Sequence, residues 1–298
     1  MLDFRYETFL ALCEIKNYTK TAEKLHITQP AVTQHIKYLE DRYDCKLFEY
    51  KNRKLNLTSE GKYLFEYIKT IQADSIHIKE KLSHNTEKEI KIRFGATLSI
   101  GEYIMPSILS TLLEDNPNYK IHMTVANTQV LLEKLNRGDL DFLLVEGMFD
   151  KGQYHSVLFS EERFVPLCAY ESILAKEVVP FEKLMQNRLI IREKGSGTRE
   201  IFETILQEYN YSLGGFDHII EIGNMSAIKE LVSKDLGITF LFQVAAEREI
   251  REGKLSVIDI PGFNAVREFN FVCLKDSFFK EEYMRYFHIM KGINEKLK

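Results

Sequence analysis

Two short helical patterns separated by a three-residue break constrain this chain more than any other feature. The first takes Thr19 as N-cap, sets Ala22 and Leu25 on one face and ends near His26. The second takes Thr28 as N-cap and places Pro30 in its first turn, where a missing N–H costs little. Ala31, Val32, Ile36 and Leu39 then recur at helical spacing. Two helices so closely joined, the second opening with small and polar residues, form a helix-turn-helix that can set its second helix in a DNA major groove. Thr28, Gln29, Pro30, Thr33, Gln34 and Lys37 are the candidate DNA-facing residues. An earlier helix, Tyr6 to Ile15, buries Tyr6, Phe9, Leu10, Leu12 and Cys13 on one face, and Asn17 is expected to close it in a left-handed conformation.

After Asp44, Leu47, Leu55 and Leu57 bracket Tyr50-Lys51-Asn52-Arg53-Lys54, a hairpin with a basic tip that would form a wing over residues 1–58. Lys46, Lys51, Arg53 and Lys54 face only Glu49 there. Such an excess either engages phosphates, with Arg53 entering the minor groove, or is simply a solvated turn. The net charge of -4 makes a local patch necessary for any DNA contact.

Residues 59–84 form one long helix on which Leu64, Ile68, Ile71, Ser75, Ile78 and Leu82 alternate spacings of four and three. The stripe of Leu64, Ile68, Ile71, Ile78 and Leu82 packs either on its own domain or on a partner helix.

The run Thr21-Ala22-Glu23-Lys24-Leu25-His26-Ile27-Thr28-Gln29-Pro30-Ala31-Val32-Thr33-Gln34-His35-Ile36, then Leu39-Glu40, Leu47-Phe48 and Leu57-Thr58-x-x-Gly61, resembles the signature of LysR-type transcriptional regulators. Thr21 stands where the family usually has a second alanine, and Tyr50 where an arginine commonly follows the Leu-Phe pair. The resemblance implies double-stranded DNA with paired promoter half-sites as partner, a linker helix that pairs with its copy, and a homodimer or homotetramer. It makes His84-Asn85-Thr86-Glu87-Lys88 the flexible joint, and the wing residues Arg53 and Lys54 stand with Thr28 and the other candidates of the second helix as the expected DNA contacts.

Residues 89–298 alternate short apolar runs with helical segments, an α/β pattern with a mainly parallel sheet. One set comprises Lys91 to Ala96, a helix from Gly101 to Asp115, Ile121 to Val125, a helix through Leu131 and Leu135, and Leu140 to Val145. The other comprises Leu189 to Arg192, a helix from about Thr198, His218 to Ile222, a helix from Asn224 to Lys234, and Ile238 to Phe242. Arg163 to Ala169 and Phe269 to Leu274 are the expected crossover strands. The effector-binding domain would thus have lobe 1 at about 89–163 and 270–298 and lobe 2 at about 164–269, similar to periplasmic solute-binding proteins. The fold class is α/β overall, with a mostly α winged helix-turn-helix, a linker helix and this two-lobed domain.

Ligands in open α/β sheets bind beyond the carboxyl ends of strands. The loops there offer Thr97, Ser99, Asn127, Thr128, Glu146, Ser196, Gly197, Thr198, Arg199 and Asn224. Ser99, Thr128, Ser196 and Asn224 would equally serve as helix caps. Two glycines beside two hydroxyls and Arg199 favour an anion, which would make the effector a small anionic metabolite; Glu146 would repel it unless Glu146 pairs with Arg199 or receives an amine.

The chain lacks GxSxG, GxGxxG, GxxxxGK[ST] and HExxH, so neither an enzyme nor a cofactor is expected, and the four cysteines lack metal-ligand spacing. Cys168 and Cys273 could approach each other as a redox pair or stay as buried thiols. The opening MLDFRYETFLALCEIK carries acids among its apolar residues, and no apolar run reaches membrane-spanning length, so a cytoplasmic protein without membrane contact is expected. Competing readings are a small-molecule-binding protein without specific DNA reading and an enzyme on a solute-binding-like scaffold.

Overall fold

Asn17 and Lys16 divide the labour at the first corner. The computed structural model describes residues 3–83 and 90–297, so the joint His84 to Lys88 lies outside the described residues. Helix α1 (Phe4–Ile15) is closed by Lys16 at φ 54°, not by Asn17, because the Asn17 side chain accepts the Lys20 N–H and opens α2 (Tyr18–Leu25). Thr19 therefore lies inside α2 and is not its cap. Thr28 does cap α3 (Gln29–Tyr43), accepting the Ala31 N–H at 3.3 Å. Strands β1 (Phe48–Lys51) and β2 (Lys54–Leu57) pair antiparallel, and Asn52 and Arg53 turn between them at φ 52° and 62°. Phe9, Leu12, Val32, Leu39 and Leu47 are wholly or almost wholly buried in one core. Each such side chain contributes about 1.5–3 kcal/mol through removal from water.

The linker helix α4 (Ser59–Ser83) divides its stripe between two surroundings. Ile68 is 5% exposed and Leu64 partly buried, both packed on the core of the helix-turn-helix, so they do not belong to a seam for a partner. Ile71, Ile78 and Leu82 remain exposed, as do Tyr63 and Tyr67, whose rings lie 4.8 Å apart. Ser277 Oγ and the Phe278 N–H donate to the two oxygens of Asp74 on another part of α4. The chain forms two compact units: Met1–Glu87 with Glu133–Asp139 and Leu274–Glu281, and Lys88–Leu132 with Leu140–Cys273 and Glu282–Lys298.

The second unit is a mixed sheet with helices. Its first lobe holds β3 (Ile90–Ala96), α5 (Leu98–Tyr103), α6 (Met105–Asp115), β4 (Tyr119–Val125), α7 (Thr128–Asn136) and β5 (Phe142–Val145). The single helix expected from Gly101 to Asp115 is broken, because Pro106 has no N–H with which to continue the ladder and stands instead in the first turn of α6. The first crossover strand, β6 (Tyr154–Ala169), is longer than expected because its first half is polar on one face. The second lobe holds α8 (Phe181–Leu184), β7 (Arg188–Ile191), α9 (Gly197–Glu208), β8 (His218–Glu221), α10 (Met225–Ser233), β9 (Thr239–Phe242), α11 (Gln243–Arg251) and β10 (Leu255–Val257). The return crossover is β11 (Ala265–Leu274), followed by α12 (Lys280–Leu297).

The strand order is β10-β6-β11-β5-β3-β4, with β9 also on β6 and β7 beside β8. Only β3 with β4, β3 with β5 and β7 with β8 are parallel among the described ladders; β6 pairs antiparallel with β9 and β10, and β11 with β5. The mainly parallel sheet is thus corrected to a mixed one, since each crossover runs against the neighbours it joins. Phe94, Phe142 and Phe271 stack through the first lobe at 5.2 and 4.8 Å. Beside them the buried Arg93 Nη2 donates to Asp141 Oδ1 at 2.7 Å.

Candidate nucleic-acid interface and effector cleft

The helix-turn-helix carries a groove that unites three sequence-distant pieces. Lys16 and Thr19 from the first corner, Gln29 from the start of α3, and Tyr50, Arg53 and Lys54 from the wing all line it. Three cations and no carboxylate face this groove among the described residues, a local positive excess in a chain of net charge -4. Gln29 Nε2 donates to Thr33 Oγ1 at 3.0 Å, and that hydroxyl donates to the Gln29 carbonyl at 3.2 Å, which fixes the Gln29 amide at the helix start. Pro30, Thr33, Gln34 and Lys37 are exposed on α3. An amide and hydroxyls on an exposed first turn suit base edges, whereas Lys16, Arg53 and Lys54 suit phosphates.

Lys16 and Tyr50 were missed as groove residues, although a cation at the helix corner was visible in the sequence. Lys46, counted with the wing cations, is instead bound to Glu40 at 2.7 Å, and Glu40 also accepts the Leu47 N–H. Thr21 does not bear on phosphate contacts at all: it is fully buried, and its hydroxyl has no partner among the described residues.

The cleft between the lobes of the second unit is organised around Glu146, 2% exposed at the end of β5. Thr97 Oγ1 donates to Glu146 Oε2 at 2.6 Å and Ser99 Oγ to Oε1 at 2.9 Å. Thr128 Oγ1 donates to the Glu146 carbonyl at 2.8 Å. Burial pushes the Glu146 carboxyl above the usual carboxylate range, against the pull of those hydroxyls and of the Arg192 charge. From the other lobe, Thr198 Oγ1 comes within 3.5 Å of Ser99 Oγ. Gly147 follows Glu146 at φ 96°, a backbone conformation that side-chain-bearing residues rarely adopt.

The remaining candidates separate cleanly. Asn127 and Asn224 act as caps, accepting the N–H groups of Val130 and Ala227 at 2.9 and 2.8 Å. Ser196, 4% exposed, makes no side-chain cap at α9. Arg199 neither pairs with Glu146 nor stands open for an anion through its bonded nitrogens: Nε donates to Glu203 at 2.7 Å, and Nη1 to Glu221 and to the Arg192 carbonyl. The cation missed from the sequence is Arg192. It is 7% exposed just past β7, grips Glu193 through Nε and Nη2, and keeps a buried Nη1 without a partner among the described residues. Its only signal was a cation at the carboxyl end of a strand.

Cys168 and Cys273 are buried and not joined in a disulfide, and burial pushes the Cys168 thiol up to about 12. Among the described residues no metal-holding cluster occurs, and no helix is long and apolar enough to cross a membrane.

A helix-turn-helix with a cationic groove, followed by a two-lobed domain with a polar cleft, defines a transcription regulator controlled by a small molecule. The family described as bacterial regulatory helix-turn-helix protein, lysR family, matches residues 5–62, and the LysR substrate binding domain matches residues 86–281. The transcriptional activator CmpR of Synechocystis is 31% identical over 264 residues, 87% of this chain and 84% of CmpR. The full-length LysG structure from Corynebacterium glutamicum, with bound effector Arg, is 14% identical at a TM-score of 0.64 and covers 99% of both chains, which shows a shared fold. The regulatory domain of Synechocystis CcmR in complex with 2-PG is 20% identical at a TM-score of 0.61, over 69% of this chain and 97% of that one. This chain belongs to the LysR family of transcriptional regulators. Such relatives are regulators of transcription.

Proposed function

We propose that the chain reads promoter half-sites in double-stranded DNA as a homodimer or homotetramer in the cytoplasm, and that a small effector with an anionic group, held in the cleft, sets its DNA-binding geometry. The observation that carries the DNA reading is the single groove shared by Gln29, Arg53 and Lys54. Pairing falls to the exposed stripe of Tyr63, Tyr67, Ile71, Ile78 and Leu82.

For the effector, the unpartnered Arg192 Nη1 replaces Arg199 as the cation, and Ser196, Gly197 and Thr198 supply donors at the start of α9. Glu146, with its raised pKa, repels an anion least when protonated. Closure around the ligand would then shift the populations of DNA-binding forms. LysG was solved with Arg and CcmR with 2-PG, so proteins of this fold take different small molecules.

A gel-shift assay with DNA from upstream of the chain's own gene, with and without anionic metabolites found by thermal shift, tests the reading. Retarded DNA whose mobility or affinity changes with the metabolite is expected, and Arg192→Ala is expected to abolish the metabolite's effect. A metabolite that acts equally on Arg192→Ala would remove this arginine from the site.

A further inference from the structure

At the hinge of the second unit, away from both sites, lies a cavity of about 380 Å³. That is within the roughly 300–1,000 Å³ typical of small-molecule sites. Its walls come from both lobes and the strand between them: Tyr103 from the first lobe, Glu161 to Arg163 from β6, Gln243 and Glu247 from α11, and Asn294 from α12. Three carboxylates, Glu161, Glu162 and Glu247, face one guanidinium, that of Arg163. Glu162 is 8% exposed and receives the Ser160 hydroxyl at 2.8 Å.

One amide marks the cavity as incomplete. Asn294, only 6% exposed, makes no side-chain hydrogen bond among the described residues. Buried amides are ordinarily satisfied, so the Asn294 amide left open on the cavity wall calls for a hydrogen-bonding occupant. The neighbouring cation does not supply it. Lys229 Nζ is committed to the Ala245 carbonyl and to Glu249, both at 2.7 Å, and sits 4.6 Å over the Tyr103 ring.

We infer that this cavity is a second ligand site, for a small organic cation with two nitrogen heads, a diamine. Its N–H groups would meet the Asn294 amide oxygen, and its two charges would meet carboxylates on β6 and α11 together, bridging the crossover and the second lobe. A ligand so placed holds the hinge at one opening and biases cleft closure without entering the cleft.

Calorimetry on the full-length protein tests this with 1,4-diaminobutane, using 1,4-butanediol as the neutral control and succinate as the anionic one. Saturable binding of the diamine alone is expected, at least tenfold weaker in Asn294→Leu and in Glu247→Gln. Glu247 is exposed, so its variant keeps the fold, and retained gel-shift activity checks that. No binding of the diamine, equal binding of the diol or succinate, or full affinity in Glu247→Gln would each overturn the assignment.

Discussion

The DNA-binding head and the effector domain use polar side chains in opposite ways. In the head, Gln29, Thr33, Gln34, Lys37 and Arg53 stand exposed, and their bonds to one another are local. In the effector domain, Thr97, Ser99, Glu146 and Thr198 are buried, with bonds that span 47 to 99 residues of sequence. Exposed groups are free to read an external partner; buried ones are paired with each other and define a shape that a ligand must complete.

The largest expected effect follows from that pairing. Asp141→Ala takes one carboxylate from the buried Arg93, which costs about 3–5 kcal/mol. Urea unfolding of the second unit measures it, whereas Arg53→Ala in the head is expected to leave stability within about 0.5 kcal/mol. Comparable losses would erase the contrast between the two regions.

The linker helix sharpens the comparison within a single element. Ile71→Glu with Ile78→Glu charges the exposed stripe and is expected to yield soluble monomers by sedimentation, while Leu64→Glu charges a residue packed on the core and is expected to unfold the head. A native oligomer in the first variant places pairing on another surface.

Glu146 makes the buried side pH-dependent. Its pKa is raised in the fold, so the folded state keeps a proton that the unfolded chain loses near the ordinary value of 4.5. The contribution to stability is fully present below that value and is lost as pH rises to the raised folded value. Glu146→Gln should flatten this part of the stability profile, and a profile identical to wild type would mean that Glu146 does not titrate there.

The smallest effect is in the head. Thr21→Ala removes a buried hydroxyl that lacks a partner and improves helix propensity, but it deletes a buried methyl worth about 0.8 kcal/mol. A net gain of up to about 1 kcal/mol in thermal unfolding is expected. A loss above about 1 kcal/mol would show that the hydroxyl is satisfied.

These contrasts also explain what the sequence disclosed. The head was legible because caps and helical period act over a few residues: Thr28, Gln29 and Thr33 follow from spacing alone. The same local logic misassigned Thr19 and Asn17, since two adjacent helices competed for one good cap. Period fixed the face of Ile68 but not its partner, because packing on the own core and packing on a second chain have the same spacing. Arg192 and Arg199 look alike in sequence; only burial and the positions of Glu193, Glu203 and Glu221 decide which keeps an open nitrogen. The hinge cavity was invisible for the same reason, since its walls come from segments about 190 residues apart.

The most direct test of the central claim is quantitative footprinting of wild type, Gln29→Ala and the Gln29→Ala, Arg53→Ala double variant on the upstream site and on unrelated DNA. The account predicts a loss of about 1–3 kcal/mol at the site for Gln29→Ala with relaxed sequence preference, and a further loss on both DNAs when Arg53 is removed. Unchanged affinity and unchanged preference in the double variant would contradict it.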